Sequence, residues 1–359
     1  MTREDTYVLI TVYSSNSGNF WPYSRKHLPK QFLDLLGTGR SLLQLTYERS
    51  KGICPEKNIF ISVPKEFFNL FQSQLPDFPK ENILIEPVRR NSAPCIAYAS
   101  YKIKKLNKNA VIVVCPASHA VFGEVAFIRD IRKAVEVACM DKKALFIVGI
   151  KPHKAETSYA YIQYHYDNVG LVKRVKTFTE KPQAELAKLL LESGDFAWNT
   201  KIFIWHVDAI LEAFEEYIPE VAETFRECTP YFYTEEENQS MMKAYSHCKN
   251  VSISTAILEK SENVFLILGQ FDWSSVSSWP SLYGLKEKKE EKNIIEANAL
   301  LLDSTNCYVK SNTKKLIVVQ GLKNYLIADS DDVLLIYPKE NSLKNVMNEV
   351  KNHKGEKYI

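Results

Sequence analysis

The chemistry that this sequence could perform is first indicated near its N-terminus, where a lysine follows an apolar strand and a polar loop. The run Tyr7–Val12 is apolar or β-branched, which predicts a strand that is buried on both faces. The segment Ser14–Gly18 contains only small polar residues and glycine, and Lys30 lies beyond it. This order is typical of a turn that binds phosphate. An ordinary strand–loop connection would give the same pattern, so both interpretations stay open.

The composition argues against several classes of protein. The chain has 359 residues, of which 45% are hydrophobic and 25% are charged, as in ordinary globular proteins. Its formal net charge of +3 is too small to indicate a nucleic-acid or membrane partner. The sequence shows no signal-peptide pattern and no run of about 20 apolar residues. Seven cysteines without C-x-x-C spacing favour reduced thiols. We therefore expect a cytoplasmic protein.

The elements that must position this chemistry follow from the pattern of apolar residues. Strands and helices alternate up to about residue 150, and the predicted strands are apolar on both faces. They are Asn58–Val63, Ile83–Ile85, Ala110–Cys115 and Ala144–Ile150. Such alternation predicts an α/β fold with a mainly parallel sheet covered by helices. The G-x-G-x-x-G pattern is absent, so no NAD or FAD site is expected.

The second half of the chain predicts a change of architecture. Tyr161–His165 and Leu171–Phe178 read as antiparallel strands, and helical patterns continue towards residue 259. The charged run Lys286–Lys292 then marks a boundary, followed by several closely spaced short strands and a closing helix at Ser342–His353. We predict an α/β domain at residues 1–285 and a small all-β module at 286–359.

Several motifs, taken in their order along the chain, resemble those of one family. Trp21, Pro22, Ser24 and Arg25 match W-P-x-S-R, and the four residues from Pro29 match P-K-Q-F. Further matches lie at Glu86–Pro94, Cys115–His119, Glu156–Ile162, Phe178–Pro182, Trp198–Phe203, Ser254–Lys260 and Trp273–Trp279. Together they resemble the mannose-1-phosphate guanylyltransferases, which are sugar nucleotidyltransferases. The resemblance implies a Rossmann-like nucleotidyltransferase fold with a β-helix-like C-terminal module.

The resemblance also implies a reaction. In this family a sugar-1-phosphate attacks the α-phosphorus of GTP and releases pyrophosphate. A glycine loop, an arginine and a lysine hold the triphosphate, and Mg²⁺ is held by two aspartates. This step depends on charge neutralisation more than on covalent help. By the resemblance, Lys30 is the lysine, and the loop that would bind the nucleotide contains Ser14, Ser15, Ser17 and Gly18.

This chain departs from the family at the groups that supply charge. Ser14 and Ser15 stand at the glycine pair, and Asn19 stands at the arginine. Ser118 and Ser275 stand at the two aspartates, and a neutral hydroxyl cannot replace a carboxylate in binding a hard dication. Losing one well-placed electrostatic group typically lowers a rate by ~10²–10³. We therefore expect little or no guanylyltransferase activity and no cofactor, with Mg²⁺ bound only if the protein is active.

At the positions that the resemblance assigns to the substrate, more of the family's residues are present than at the phosphate and metal positions. Glu180 and Lys181 stand where the family binds sugar hydroxyls and the sugar phosphate, and Asn199 stands where it contacts the sugar. Arg90 and Asn91 stand where the nucleotide base or its surrounding loop is met. Lys201, however, replaces a glycine beside Asn199. Glu180 and Lys181 could also form no more than an exposed ion pair.

Three functions stay open on the sequence. The first is a family member without its catalytic set, which binds a sugar phosphate, a nucleotide sugar or an active paralogue. The second is a working nucleotidyltransferase that makes GDP-mannose or a related product, with Asp272 and Glu124 as displaced metal ligands. The third is an interaction protein that uses its C-terminal module, with self-association as one form of it.

Overall fold

A computed structural model describes residues 3–12, 17–166, 170, 172–286 and 290–359. The chain divides into two compact units, which are treated separately below. The first unit contains Met1–Tyr13 and Leu43–Ser275, and the second contains Ser14–Leu42 and Val276–Ile359. The second unit therefore combines the N-terminal segment Ser14–Leu42 with the C-terminal part of the chain, so a single cut in the sequence cannot separate the two units. A domain boundary at residue 285 stays a prediction.

The first unit is built on a mixed sheet. Its strands are β1 Thr6–Thr11, β2 Ile59–Pro64, β3 Ile83–Glu86, β4 Val111–Pro116, β5 Ala120–Phe122, β6 Leu145–Ile150, β7 Tyr161–Tyr164, β8 Val172–Thr179, β9 Phe196–His206, β10 Val264–Gly269 and β11 Asp272–Ser274. In the described residues the main sheet has nine strands in the order β3-β2-β1-β4-β9-β6-β10-β8-β7, while β5 and β11 form a separate ladder. β1, β2, β3 and β4 pair in parallel, as do β6 and β10. The predicted α/β fold is confirmed.

Helices cover this sheet. They are α1 Leu42–Lys51, α2 Phe68–Gln74, α3 Ser92–Leu106, α4 Glu124–Met140, α5 Ala184–Ser193, α6 Val207–Tyr217, α7 Pro219–Glu227 and α8 Glu237–His247. Aromatic and aliphatic side chains of α3, α6, α7 and α8 join the sheet in one large core, in which Trp205, Phe214 and Phe225 are fully buried. No helix within the described residues is long and apolar enough to cross a membrane.

The central strand β9 was missed by the sequence analysis. It runs antiparallel to both β4 and β6 and so joins the four parallel strands β3-β2-β1-β4 to the parallel pair β6–β10. All of its 11 residues are described, and Lys201 alone among them is exposed. The polar run Asn199–Lys201 divides its apolar residues into two short pieces. Neither piece shows the period of a strand or a helix, which is why the pattern predicted no element here.

The second unit contains the predicted module of short strands. Its strands are β12 Ile294–Glu296, β13 Ala299–Leu302, β14 Tyr308–Ser311, β15 Ile317–Gln320, β16 Tyr325–Asp329 and β17 Leu334–Pro338, and its helices are α9 Trp279–Leu285 and α10 Lys344–Lys354. β12, β14 and β16 stack in parallel, and β13 pairs in parallel with β15. Cys307, Val309, Val319 and Ile327 fill the interior between them. Parallel strands that stack in successive turns of chain are typical of a short β-helix.

Candidate functional site

In the second unit, Asn19 and Lys30 both contact one short piece of backbone. By the resemblance, they stand where the family has its arginine and its lysine. The Asn19 amide donates to the Ser277 carbonyl at 2.7 Å. The Lys30 ammonium donates to the Val276 carbonyl, also at 2.7 Å. Lys30 begins a single 3₁₀ turn, Lys30–Phe32, which follows Pro29. The two side chains that the resemblance assigns to the triphosphate therefore hold the chain at Val276–Ser277.

The backbone that they hold has an unusual conformation. Val276 has a φ of 42° and is fully buried. A β-branched residue at positive φ is a genuine outlier, so tertiary contacts must maintain it. Burial lowers the pKa of Lys30 to about 7, because an ammonium loses its hydration when it is enclosed. The ammonium form of Lys30 has three N–H donors, and the hydrogen bond to Val276 uses one of them.

The predicted phosphate loop is only partly described. Ser14 and Ser15 lie outside the described residues. The backbone of Ser17 and Gly18 enters a 3₁₀ turn, Ser17–Phe20. A nucleotide-binding role for this loop stays a prediction.

The W-P-x-S-R match has structural roles within the second unit. The Trp21 indole donates to the Tyr358 carbonyl at 2.6 Å, and the Trp279 indole donates to the Trp21 carbonyl at 3.0 Å. The Arg25 guanidinium forms an ion pair with Asp332. Ser24 is fully buried and accepts from the Phe20 N–H at 3.1 Å. This motif therefore joins the N-terminal segment to the C-terminal residues of the same unit.

In the first unit, the two metal positions of the family are brought together. Ser118 follows β4, and Ser275 follows β11. β5 and β11 pair antiparallel, with Ala120 opposite Ser274. Ser275 directly follows Ser274, and Ser118 lies two residues before Ala120. Both serines therefore lie at the same end of this ladder. Within the described residues, no group of three or more His, Cys, Asp and Glu side chains is placed to hold a metal ion.

The carboxylates considered as displaced metal ligands lie at the opposite end of that ladder. Asp272 pairs with Phe122, and Glu124 begins α4 two residues further on. Both side chains are exposed. At about 3.4 Å of rise per residue, Asp272 is roughly 10 Å along the strand from Ser275. The ladder therefore separates these acids from the two serines.

An aromatic cluster lines the same region of the first unit. The ring of Tyr159 lies 5.2 Å from that of Trp198 and 5.0 Å from that of Trp273. The His119 ring meets Trp273 edge-on at 5.1 Å. The Tyr159 hydroxyl and the Ser274 hydroxyl are 3.0 Å apart, which joins the cluster to β11. His119, Trp198 and Trp273 thus pack against one another or against Tyr159.

The residues assigned to the sugar lie where β8 and β9 pass the first residue of β7; this end of the three strands is called the edge below. β7 is flanked by β8 and β9, and its residue Tyr161 pairs with Thr179 on one side and with Trp198 on the other. Glu180 and Lys181 continue from Thr179, and Asn199 continues from Trp198 in the same direction. Asn199 is buried and its N–H donates to the Ala160 carbonyl at 2.8 Å. The structure therefore brings the three predicted sugar-binding residues to a common edge.

A bulge shapes that edge. The register between β6 and β9 shifts between Val148 and Gly149, and Thr200 and Lys201 have no partner residue on β6. The Asn199 side chain accepts from the Lys201 N–H at 2.8 Å, and the Thr200 hydroxyl accepts from the Ile202 N–H at 3.2 Å. Lys201 adopts a φ of 56°. This conformation explains why glycine suits the position, since a Cβ atom is disfavoured there.

Comparison with known proteins decides the family. The family model described as Nucleotidyl transferase matches residues 17–292. A mannose-1-phosphate guanylyltransferase of Klebsiella pneumoniae is 30% identical over 345 residues, which cover 93% of this chain and 72% of that protein. The chain belongs to the mannose-1-phosphate guanylyltransferase family.

Other relatives agree with this assignment. The xanthan biosynthesis protein XanB of Xanthomonas campestris is 30% identical over 350 residues, which cover 96% of this chain and 73% of that protein. A crystal structure from Thermus thermophilus, described as mannose-1-phosphate geranyltransferase, covers 97% of this chain and 99% of its own with a TM-score of 0.84 and 24% identity. At that identity the likeness concerns the fold.

Two residues that the guanylyltransferase resemblance assigns to the nucleotide have protein partners. The Arg90 guanidinium donates to the Tyr245 carbonyl at 3.1 Å and to the Ser246 carbonyl at 3.4 Å, near the C-terminus of α8. Asn91 caps α3 and its side chain accepts from the Ser92 N–H at 2.9 Å. Binding of a guanine base by these residues stays a prediction.

The sequence analysis also missed a buried carboxyl group in this family member. Glu86 ends β3, is 4% exposed and accepts from the Ser62 hydroxyl. Burial raises the pKa of Glu86 to about 7, because the charged form has lost its water. The position was visible as the first residue of the Glu86–Pro94 match, but nothing local showed that the side chain points into the core.

Proposed function

We propose that this chain binds a sugar phosphate or a nucleotide sugar and has lost, or nearly lost, nucleotidyl transfer. Mannose-1-phosphate is the first ligand to test, since it is the substrate named for the guanylyltransferase relatives. The observation that carries the proposal is the pairing of β5 with β11. Ser118 and Ser275, which stand at the metal positions by the resemblance, lie at one end of this ladder. Two hydroxyls at that point supply no charge to a dication.

The second unit supports the same proposal independently. Asn19 brings an amide where the family has a guanidinium, and the amide is bonded to Ser277. Lys30 keeps the family's ammonium but bonds it to Val276. A nucleotide triphosphate would therefore meet one cation at these two positions in place of two. Since phosphoryl transfer depends on charge neutralisation, the reaction would lose much of its stabilisation.

The sugar side supports binding. Glu180, Lys181 and Asn199 share one sheet edge, and Lys181 is exposed with only Glu180 as its ion-pair partner among the described residues, at 3.6 Å. Such an edge offers a carboxylate, an ammonium and an amide to a polyhydroxyl ligand that carries a phosphate. This combination can accept and donate hydrogen bonds to sugar hydroxyls.

The direct test is turnover by the purified full chain. Mannose-1-phosphate and GTP are supplied with Mg²⁺, and pyrophosphate release is compared with a buffer control. We expect no release above the control. We also expect the melting temperature to rise with mannose-1-phosphate or GDP-mannose, since a ligand that binds only the folded state stabilises it. Turnover at rates typical of enzymes would refute the proposal.

A gain-of-function variant sharpens this test. Ser118→Asp combined with Ser275→Asp restores both carboxylates, and the matched control Ser118→Asn with Ser275→Asn adds similar bulk without charge. We expect Mg²⁺ to raise the melting temperature of the aspartate variant in the presence of GTP and to leave the control unchanged. An equal Mg²⁺ effect on wild type and control would place metal binding at other residues.

The alternative is an active enzyme that uses Asp272 and Glu124. The observation in its favour is that both exposed carboxylates lie at the same end of the β5–β11 ladder. Calorimetry with Mg²⁺ and GTP distinguishes the two proposals. A metal-dependent heat that disappears in Asp272→Ala would favour the enzyme.

Partners other than small molecules are also proposals. An active paralogue or a second copy of this chain could bind a scaffold that lacks its own catalytic groups. Light scattering of the full chain, alone and mixed with an active relative, tests this. An unchanged monomer mass in both samples would exclude stable association.

A further inference from the structure

Lys201 combines an unfavourable backbone conformation with an exposed position. Its φ of 56° lies in a region that few non-glycine residues adopt. It is exposed although the other residues of β9 are buried. Strained residues of this kind persist where the surrounding structure enforces them, and they concentrate at functional sites. A glycine, which is the family residue, would relieve the strain, so the lysine side chain is the feature that needs an explanation.

A second lysine with the same property lies at the same sheet edge. Lys181 has a φ of 40° and is exposed. Its strand β8 and the strand β9 of Lys201 both flank β7, and they continue beyond Tyr161 in the same direction. Neighbouring strands are about 4.8 Å apart, so Thr179 and Trp198 are separated by roughly 10 Å across β7. Lys181 and Lys201 therefore lie on the two strands that flank β7, each two or three residues beyond a partner of Tyr161.

The charges at this edge are unbalanced. Glu180 pairs with Lys181 at 3.6 Å. Among the described residues, no ion pair involves the Lys201 ammonium. The buried amide of Asn199 holds the Lys201 N–H and so fixes where the lysine leaves the strand. The edge therefore presents a net positive charge beside the residues assigned to the sugar.

The indole N–H of Trp198 is a buried donor beside Asn199, and those of Trp205 and Trp273 are buried donors elsewhere in the first unit. Trp198 directly precedes Asn199 and is 1% exposed. Within the described residues, its N–H has no hydrogen-bond partner. A buried donor without an acceptor is costly, and such groups are usually satisfied by a water or a ligand.

We propose that Lys201 and Lys181 bind the phosphate group of a sugar phosphate in place of a metal ion. The proposal rests on the function proposed above and specifies it. Where two aspartates and Mg²⁺ would neutralise the substrate in the family, this chain uses the ammonium groups of two exposed lysines on the first unit. It predicts that sugar-phosphate binding is independent of divalent cations and depends on the charge of Lys201.

Calorimetric titration of the full chain with mannose-1-phosphate tests this, with EDTA and then with Mg²⁺. Lys201→Gln removes the charge and keeps a long side chain, whereas Lys201→Arg keeps the charge. Lys188→Gln, on the exposed face of α5, is the matched control. We expect Lys201→Gln to weaken binding about tenfold or more, since charged hydrogen bonds are the strong ones. Lys201→Arg and Lys188→Gln should bind within about twofold of wild type, and mannose without phosphate should not distinguish the variants.

The outcomes separate this inference from the proposed function. If wild type binds mannose-1-phosphate and Lys201→Gln binds it equally well, the role of Lys201 is refuted and the proposed function stands. If wild-type binding requires Mg²⁺, the metal-independent site is refuted. If wild type binds neither mannose-1-phosphate nor GDP-mannose under any condition, both proposals fail. Melting curves of each variant confirm that it is folded.

Discussion

The segments Trp21–Arg25 of the second unit and Trp198–Phe203 of the first unit both match family motifs, but their side chains are used differently. In the first segment, the matched residues Trp21, Ser24 and Arg25 are bonded within their own unit. In the second segment, matched residues such as Trp198 and Asn199 are buried, while the departure at Lys201 is exposed on a bulge. Matches therefore concentrate where the fold is held together.

This difference shows what a motif match measures in a divergent chain. A buried residue with fixed partners is retained because its loss would destabilise the unit. A residue that meets a ligand can change once the ligand or the reaction changes. The departures at Asn19, Ser118, Ser275 and Lys201 all fall at positions that the family assigns to chemistry or its immediate surroundings. Matches such as Trp21 and Ser24 thus support the fold, whereas the changed residues lie at positions that the resemblance assigns to charge neutralisation or to the surroundings of the sugar.

The largest effect is expected at Trp21. Trp21→Ala removes a side chain that is 3% exposed together with its bond to Tyr358, and large-to-small core changes of this kind cost about 3–5 kcal/mol. Urea unfolding of the variant measures this loss. Lys26→Ala, two residues from Ser24 and exposed, is the control and should change stability by less than about 0.5 kcal/mol. Equal effects of the two variants would show that the motif is not structural.

Glu86, a buried residue of a matched motif, should make the free energy of unfolding depend on pH. Its pKa is raised to about 7 in the folded state and is near 4.5 when unfolded, so the folded state binds more protons between these values. The free energy of unfolding should therefore fall as the pH rises from about 4.5 to about 7, by about 3 kcal/mol in total. Glu86→Gln should lack this fall.

Urea unfolding at pH 5 and at pH 8 checks the Glu86 prediction. The difference between the two pH values is compared for wild type and Glu86→Gln, so that other titrating groups cancel. The same pH dependence in both proteins would mean that Glu86 is not held in the core as the structure shows.

Substitutions of Thr200 test whether its hydrogen bonds stabilise the bulge in β9. Its buried hydroxyl donates to the Val148 carbonyl and accepts from the Ile202 N–H at 3.2 Å. Thr200→Val keeps the shape and leaves both backbone groups without this partner, which should cost about 2 kcal/mol. Thr200→Ser keeps the hydroxyl and is the matched control. If valine and serine had the same effect on the free energy of unfolding, the hydrogen bonds would not hold the bulge.

The sequence predicted those parts of the molecule that depend on local pattern. Continuous apolar runs such as Ala110–Cys115 indicated the parallel strands correctly, and the motif departures were visible directly. β9 was missed because polar residues interrupt it, and β5 and β11 were missed because three-residue strands form only through a distant pairing. The contacts of Asn19 and Lys30 with Val276 and Ser277 are equally remote along the chain. Side-chain direction at such positions depends on tertiary structure, which no local pattern contains.

The smallest expected change in stability is at Lys201, where two substitutions distinguish the contribution of backbone strain from that of charge. Lys201→Gly should increase the free energy of unfolding by up to about 1 kcal/mol, because glycine adopts a φ of 56° without a Cβ penalty. Lys201→Ala removes the same charge but keeps the Cβ atom, so it should leave stability within about 0.3 kcal/mol of wild type. Both variants should lose sugar-phosphate binding. A protein that becomes more stable and loses its ligand when given the family's own residue would show that the lysine is maintained for binding and not for folding. If alanine stabilised the chain as much as glycine, repulsion between charges would be the cause, and the strain argument would fail.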